Sequence, residues 1–255
     1  MPPANYTLYL ITDAPASYRH GFLASIEAAI AGGVTIVQYR SDAKSKRELY
    51  ETALPLRDLL KRLDVPLIIN DHVDLALALD ADGVHVGQND LPAAIVRKLI
   101  GPRKLLGLSA TTREQVLAAD AAILDYLGLG PVFATQTKLD AAPATGLATL
   151  AALAALSPLP TVAIGGITPD NAPSIFAAGV TGIAIVTALS RAEDIRAAAR
   201  ALRASKVEAA SCRFLKKRRD AASTPCSLPT RRSRALYESA SGLTSKIRNP
   251  KSKIP

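Results

Sequence analysis

Short runs of Val, Ile, Leu and Thr recur along this chain, and each is followed by an Ala- and Leu-rich stretch of helical length. That alternation is what a parallel sheet with crossover helices demands, and few other folds satisfy it. The runs are TLYLITD, TIVQYR, PLIIND, DGVHVG, KLLGLSA, YLGLGPVF, TVAIGG and TGIAIVT. Helices are expected over Lys46–Leu63, Pro92–Ile100, Thr112–Ala121 and Pro169–Ala178, two of them carrying proline in the first turn beside a polar cap (NDLPAA, ITPDNA). Eight such units in about 200 residues predict an α/β chain folded as a (β/α)8 TIM barrel near the lower end of its size range. A doubly wound open sheet is the structural alternative.

The core has to be aliphatic, since the 255 residues include no Trp and only 4 Phe. Between Asp140 and Asp170 the chain carries no charge, but Pro143, Pro158, Pro160, Gly165 and Gly166 interrupt the interval, so a buried helix followed by a buried strand is expected there and not a membrane span. Net charge is +9 for the whole chain, yet residues 201–255 alone hold 14 Lys and Arg against 3 Asp and Glu. The basicity therefore belongs to the C-terminal segment. A TIM-barrel catalytic domain over 1–202 and a basic, disordered tail over 203–255 are expected, with a loosely docked helix around Val207–Lys217 as the alternative. Both cysteines, Cys212 and Cys226, lie in that tail, which leaves the barrel without a disulfide, a thiolate nucleophile or a soft metal site. The opening MPPANYTLYLITD lacks a basic segment ahead of its short apolar run, so no secretory signal is read and a cytoplasmic enzyme is expected.

In a barrel of this kind, functional groups sit at the C-terminal ends of the strands. Gln38 and Arg40 end the second run, Asn70 and Asp71 the third, and Ser109 the fifth; GQND with Asp90 follows the fourth, ATQTK the sixth, and Gly165-Gly166 ends the seventh. Asp71 and Asp90 follow neighbouring strands, so their carboxylates can converge on Mg²⁺, which favours a few protein carboxylates plus phosphate oxygens. Each could equally cap the helix behind it, near Val73 and Pro92 respectively. Arg40 offers a planar fork for phosphate and Lys138 a movable charge. The glycine pair 165–166 can cradle a phosphate on backbone N–H groups, or simply make a tight turn. The segment GPVFATQTKLDAAPATGLATL is long for a connection and reads as a mobile flap over the bowl, with a surface excursion as the alternative. His72 and His85 lack the spacing of a metal pair and are left out of the catalytic set; His85, between two valines, is expected inside the barrel or at its rim.

Taken together, VQYR, LIINDHVDLALALDADGVHVGQNDLP, GLSA, GPVFATQTK…GL and AIGGIT resemble the thiamine-phosphate synthase family, over roughly Tyr6 to Leu202. The resemblance implies a barrel enzyme that joins a hydroxymethylpyrimidine diphosphate to a thiazole phosphate, releasing diphosphate. It implies Asp71 and Asp90 as Mg²⁺ ligands, and Gln38, Arg40, Asn70, Ser109 and Lys138 as binders of the pyrimidine diphosphate, with Arg40, Lys138 and Ser109 as the catalytic set. Thr135, Thr137, Gly166, Val186 and Thr187 would contact the thiazole phosphate. The chain departs from the family in two ways. Asp42 stands where a Lys is common, which weakens diphosphate binding unless Lys44 or Lys46 reaches back, and the basic tail is an addition. Partners are then small-molecule substrates and a homo-oligomer is compatible; no specific nucleic acid is expected, because the tail has no aromatic stacking pattern. A thiazole tautomerase-like isomerase is the rival on the same fold, and a non-catalytic phosphate-binding barrel with a partner-binding tail the rival of a different class.

Overall fold

The computed structural model describes residues 4–43, 45–135 and 143–222, with the backbone alone for 211–222. All eight runs form strands: β1 Leu8–Ile11, β2 Ile36–Tyr39, β3 Leu67–Asn70, β4 Gly83–Val86, β5 Leu105–Ala110, β6 Tyr126–Leu129, β7 Thr161–Ile164 and β8 Gly182–Ile185. They pair in parallel and in chain order, and β8 returns to β1 through Leu10↔Ile185, closing the barrel and excluding the open doubly wound sheet.

The helices are α1 Phe22–Gly32, α2 Lys46–Arg62, α3 Val73–Ala78, α4 Ala93–Ile100, α5 Arg113–Leu117, α6 Gly146–Leu156, α7 Ala172–Ala177, α8 Thr187–Ser190 and α9 Ile195–Ala222. Local chemistry sets where they start. Ser45 caps α2 by accepting from Glu48 N, and Thr112 with Gln115 forms a reciprocal capping box on α5. Two expected helices are shorter than their sequence patterns suggest. Helix α5 stops at Leu117, and three residues on Asp120 turns the chain by accepting from Ala122 N. Helix α7 starts at Ala172 and not at Pro169, because Asn171 closes the preceding loop, accepting from Thr168 N and donating to Gly166 O. Only one stripe of α6 is buried, through Leu150 and Leu153, so this uncharged helix lies on the barrel wall rather than inside a core. None of the described helices is long and apolar enough to cross a membrane.

Two apolar shells result from the alternation of each strand. Leu8, Leu10, Val37, Ile69, Val84, Leu106, Leu127 and Ile183 face the helices, and the core they share with the helices is almost wholly aliphatic, as expected. The barrel interior is different: Tyr6, Tyr9 and Tyr126 fill it, with Ile11, Ile36, Ile68 and Val162. An aliphatic composition therefore hid a tyrosine-filled lumen.

Contacts group the chain into Met1–Phe214 and Leu215–Pro255. The domain boundary expected at residue 202 falls within α9. Past that point Ser205 and Ala209 are buried, and Lys206 Nζ donates to Thr7 Oγ1 and to Thr181 O (2.9 Å each) across the N-terminal ends of β1 and β8. Residues 223–255, most of the expected tail, lie outside the described residues.

Candidate active site

The C-terminal ends of the strands surround a cavity of about 550 Å³ counted to its open mouth, and Gln38, Arg40, Asn70 and Ser109 all line it. They come from β2, the β2 exit, β3 and β5, and meet only because the sheet closes. Its walls are otherwise apolar, supplied by Ile11, Val162, Ile164 and Ala184, with Tyr9, Tyr126 and His85 toward the floor.

Arg40 is held by its backbone, which both donates to Thr12 Oγ1 (2.9 Å) and accepts from it (2.8 Å), locking the exits of β1 and β2 together. Arg40 is half-buried and lines the cavity. Gln38 is 3 % exposed and its Nε2 donates to Tyr9 Oη (3.0 Å), which leaves the amide oxygen and the second amide hydrogen for other partners.

Asp71 is not the cap of α3. The cap position belongs to His72 with no side-chain bond, and Asp71 sits at φ 61° in the left-handed region, its backbone N–H donating to His85 O on β4 (2.8 Å). Its Oδ2 accepts from Asn70 Nδ2 at 2.6 Å. A non-glycine residue in that conformation is strained unless local bonds hold it, and Asp tolerates it better than most. Nor does Asp90 cap α4, whose cap position is Pro92; instead Asp90 Oδ2 accepts from Gly87 N (2.7 Å) and folds the loop after β4 onto itself. Both carboxylates thus stand on loops after adjacent strands. Lys46 Nζ, from α2, reaches this neighbourhood and contacts His72 Nδ1 (2.9 Å) and Asp74 Oδ1 (3.0 Å). Burial and the Lys46 ammonium hold His72 below the ordinary imidazole value, against the opposing charges of Asp74 and Asp90. Asp42 is exposed, and Lys44 lies outside the described residues.

After β7, Gly165 (φ 102°) and Gly166 (φ 63°) both require the left-handed region. A Cβ on Gly166 would stand 2.7 Å from Phe133 Cβ, so the turn is packed against the segment leaving β6. Thr135 is half-buried on that segment, while Thr137 and Lys138 lie outside the described residues, as does the centre of the expected flap. The flap's ends are pinned, Thr145 N and Gly146 N donating to Pro131 O and Val132 O (2.9 Å each). Val186 is buried before α8, and Thr187 opens that helix.

Three groups at the cavity floor are not among the site residues expected from the sequence: Tyr9, Tyr126 and His85. His85 Nε2 stands 2.9 Å from Ser109 Oγ and its Nδ1 3.1 Å from Tyr126 Oη. Burial raises the Tyr9 and Tyr126 phenols far above the usual tyrosine value, so both stay neutral. A signal for Tyr126 and His85, though not for Tyr9, did exist in the sequence. Gly107 and Gly128 occupy inward positions of β5 and β6, where a Cβ would overlap the Tyr126 ring in one case and stand 3.1 Å from His85 Cε1 in the other. Glycine inside a strand marks just such a close approach.

Known proteins resemble this chain in sequence and fold. The family model described as thiamine monophosphate synthase matches residues 8–189. A thiamine-phosphate synthase of Chloroflexus aurantiacus is 54% identical over 200 residues, covering 78% of this chain and 92% of the relative. One from Laribacter hongkongensis is 51% identical over 203 residues, covering 79% and 96%. Among solved structures, a thiamine phosphate pyrophosphorylase from Pyrococcus furiosus superposes with a TM-score of 0.72 at 37% identity, covering 81% of this chain and 98% of that one. A 3-hexulose-6-phosphate synthase from Salmonella typhimurium, 16% identical with a TM-score of 0.62, shares the fold.

Proposed function

The chain belongs to the thiamine monophosphate synthase family and is a transferase of thiamine biosynthesis, and we propose that it joins 4-amino-2-methyl-5-(diphosphooxymethyl)pyrimidine to a thiazole phosphate in a Mg²⁺-dependent reaction. The observation that carries this reading is the convergence of Gln38, Arg40, Asn70 and Ser109 on one cavity beside the Asp71 and Asp90 loops. The relatives from Chloroflexus aurantiacus and Laribacter hongkongensis are thiamine-phosphate synthases, which supports the synthase over the isomerase and the non-catalytic barrel.

Asp71 and Asp90 offer hard oxygen donors, and no third acidic or histidine group joins them among the described residues. That donor set suits Mg²⁺, which keeps water and substrate phosphate oxygens as its other ligands. When bound, the ion would neutralise charge on the departing diphosphate. Asn70 orients Asp71 for that task, and Arg40 contributes a fork matched to phosphate oxygens, with Lys138 as a second cation. In the reaction the bond between the pyrimidine methylene carbon and the diphosphate oxygen breaks, the electron pair leaving with diphosphate, and the ring amino group stabilises the resulting cation. The thiazole nitrogen then closes a C–N bond at that carbon. Ile11, Val162, Ile164 and Ala184 keep water from trapping the cation, and the Gly165-Gly166 turn with Thr135, Thr137, Val186 and Thr187 holds the thiazole phosphate opposite it.

The test is to supply both substrates with and without Mg²⁺ and follow thiamine phosphate and diphosphate together. Equal, metal-dependent appearance of the two is expected. Folded protein that yields neither would overturn the proposal.

A further inference from the structure

A line of hydrogen bonds crosses the cavity floor from β2 to β5. Gln38 Nε2 donates to Tyr9 Oη (3.0 Å), the Tyr9 and Tyr126 hydroxyls share a bond of 2.8 Å, Tyr126 Oη meets His85 Nδ1 at 3.1 Å, and His85 Nε2 meets Ser109 Oγ at 2.9 Å. Tyr9 and Tyr126 are each 1 % exposed, so water cannot take their protons.

The protons can be placed by elimination. Gln38 Nε2 only donates, so Tyr9 oxygen is an acceptor there, and Tyr9's own hydrogen can go only to Tyr126 oxygen. Tyr126 must then donate to His85 Nδ1, which requires that nitrogen to be bare. If Nδ1 carried a proton, in the other tautomer or in the imidazolium, Tyr126 would turn its hydrogen back to Tyr9. The Tyr9 proton would then be buried with no acceptor, which costs the full desolvation of that group. The opposite polarity would require Gln38 to present Oε1 to Tyr9.

We infer that Tyr9 and Tyr126 hold His85 as the neutral Nε2–H tautomer, so that Ser109 accepts from His85 and turns its own hydroxyl hydrogen into the cavity, toward an acceptor atom of the pyrimidine diphosphate. His85 and Tyr126 are thereby positioning residues, acting through Ser109. The ligand's identity rests on the function proposed above; the tautomer does not.

The first measurement is the ¹⁵N spectrum of the histidine rings in the substrate-free full chain, whose 3 histidines are assigned by substitution. His85 with a protonated Nε2 and a bare Nδ1 at neutral pH is expected, and a protonated Nδ1 overturns the proposal without any variant having to fold. Tyr126→Phe removes the hydroxyl whose proton Nδ1 accepts, so both neutral tautomers should appear; an unchanged single tautomer would count against the relay. Tyr126→Phe is expected to lower kcat/KM for the pyrimidine diphosphate about tenfold, the size of one hydrogen bond. Combined with Ser109→Ala it should add nothing further, because both act on the same donor; additive losses would sink the Ser109 step. An Nε2–H tautomer in a protein that makes no thiamine phosphate would refute the proposed function and leave the polarity standing. Turnover with an Nδ1–H tautomer would do the reverse.

Discussion

Replacing Asp71 by Asn separates the metal role of that side chain from its structural one. Asn keeps the shape and tolerates the left-handed backbone at φ 61°, so no new strain enters. What changes is the bond from Asn70 Nδ2 at 2.6 Å, which goes from charge-assisted to neutral. Charge-assisted bonds contribute about 1.5–3 kcal/mol and neutral ones about 0.5–1.5, so a stability loss of about 1 kcal/mol is expected. On a barrel of this size that is a fall in Tm of about 2–4 °C. Turnover should suffer far more, because one of the two carboxylates proposed to hold Mg²⁺ is gone. A loss of about 100-fold or more in kcat/KM is expected, or about 2.7 kcal/mol at 1.36 kcal/mol per tenfold. The assay follows diphosphate and thiamine phosphate over a Mg²⁺ titration, with a thermal melt of the same sample. Near-normal turnover with an unchanged Mg²⁺ half-saturation would refute the metal assignment, whatever the melt shows.

Gly166→Ala forces a Cβ onto a residue at φ 63° and to within 2.7 Å of Phe133 Cβ; a loss of about 2 kcal/mol and a raised KM for the thiazole phosphate, but not for the pyrimidine diphosphate, are expected from melts and kinetics. A chain ending at Leu202 gives up both Lys206 bonds and the buried Ser205 and Ala209, so its unfolding free energy should fall by about 2–4 kcal/mol relative to a chain ending at Phe214; equal stability of the two would show that these contacts contribute nothing. The Lys104 ammonium, 2.6 Å from Asp80 Oδ1, holds that carboxyl below its ordinary value of 3.8. A depressed folded-state value means the stabilisation is present above about pH 4 and lost as pH falls through the lower folded value. Lys104→Met should therefore lower Tm slightly at pH 7 and leave it unchanged in acid, flattening the acid limb by the same small amount, as the Asp80 side is exposed; an unaltered acid limb would show that the pair contributes nothing.

Much of this protein was legible in order along the chain. The short apolar run of each strand and the helical stretch that follows are local properties, so the eight strands and their barrel could be read from the sequence, as could the polar residues at the strand exits. Capping chemistry was less legible. Asp71 and Asp90 have the composition of helix caps, and only the folded loops show their carboxylates bonded to Asn70 and Gly87 instead. The shortened starts and ends of α5 and α7 come likewise from side chains, Asp120 and Asn171, that close turns before a helical pattern has run out.

Tertiary structure alone decided the floor of the cavity. Tyr9 and Tyr126 are 117 residues apart, and nothing in either strand marks the other as its partner. They meet because closure brings inward positions of non-adjacent strands to one axis, where buried hydroxyls must find one another when water is excluded. The sequence by itself determined the frame and which residues would stand at its rim. Which of them touch, and in which direction each proton points, is a property of the closed barrel, because hydrogen-bond satisfaction is settled among neighbours in space and not along the chain.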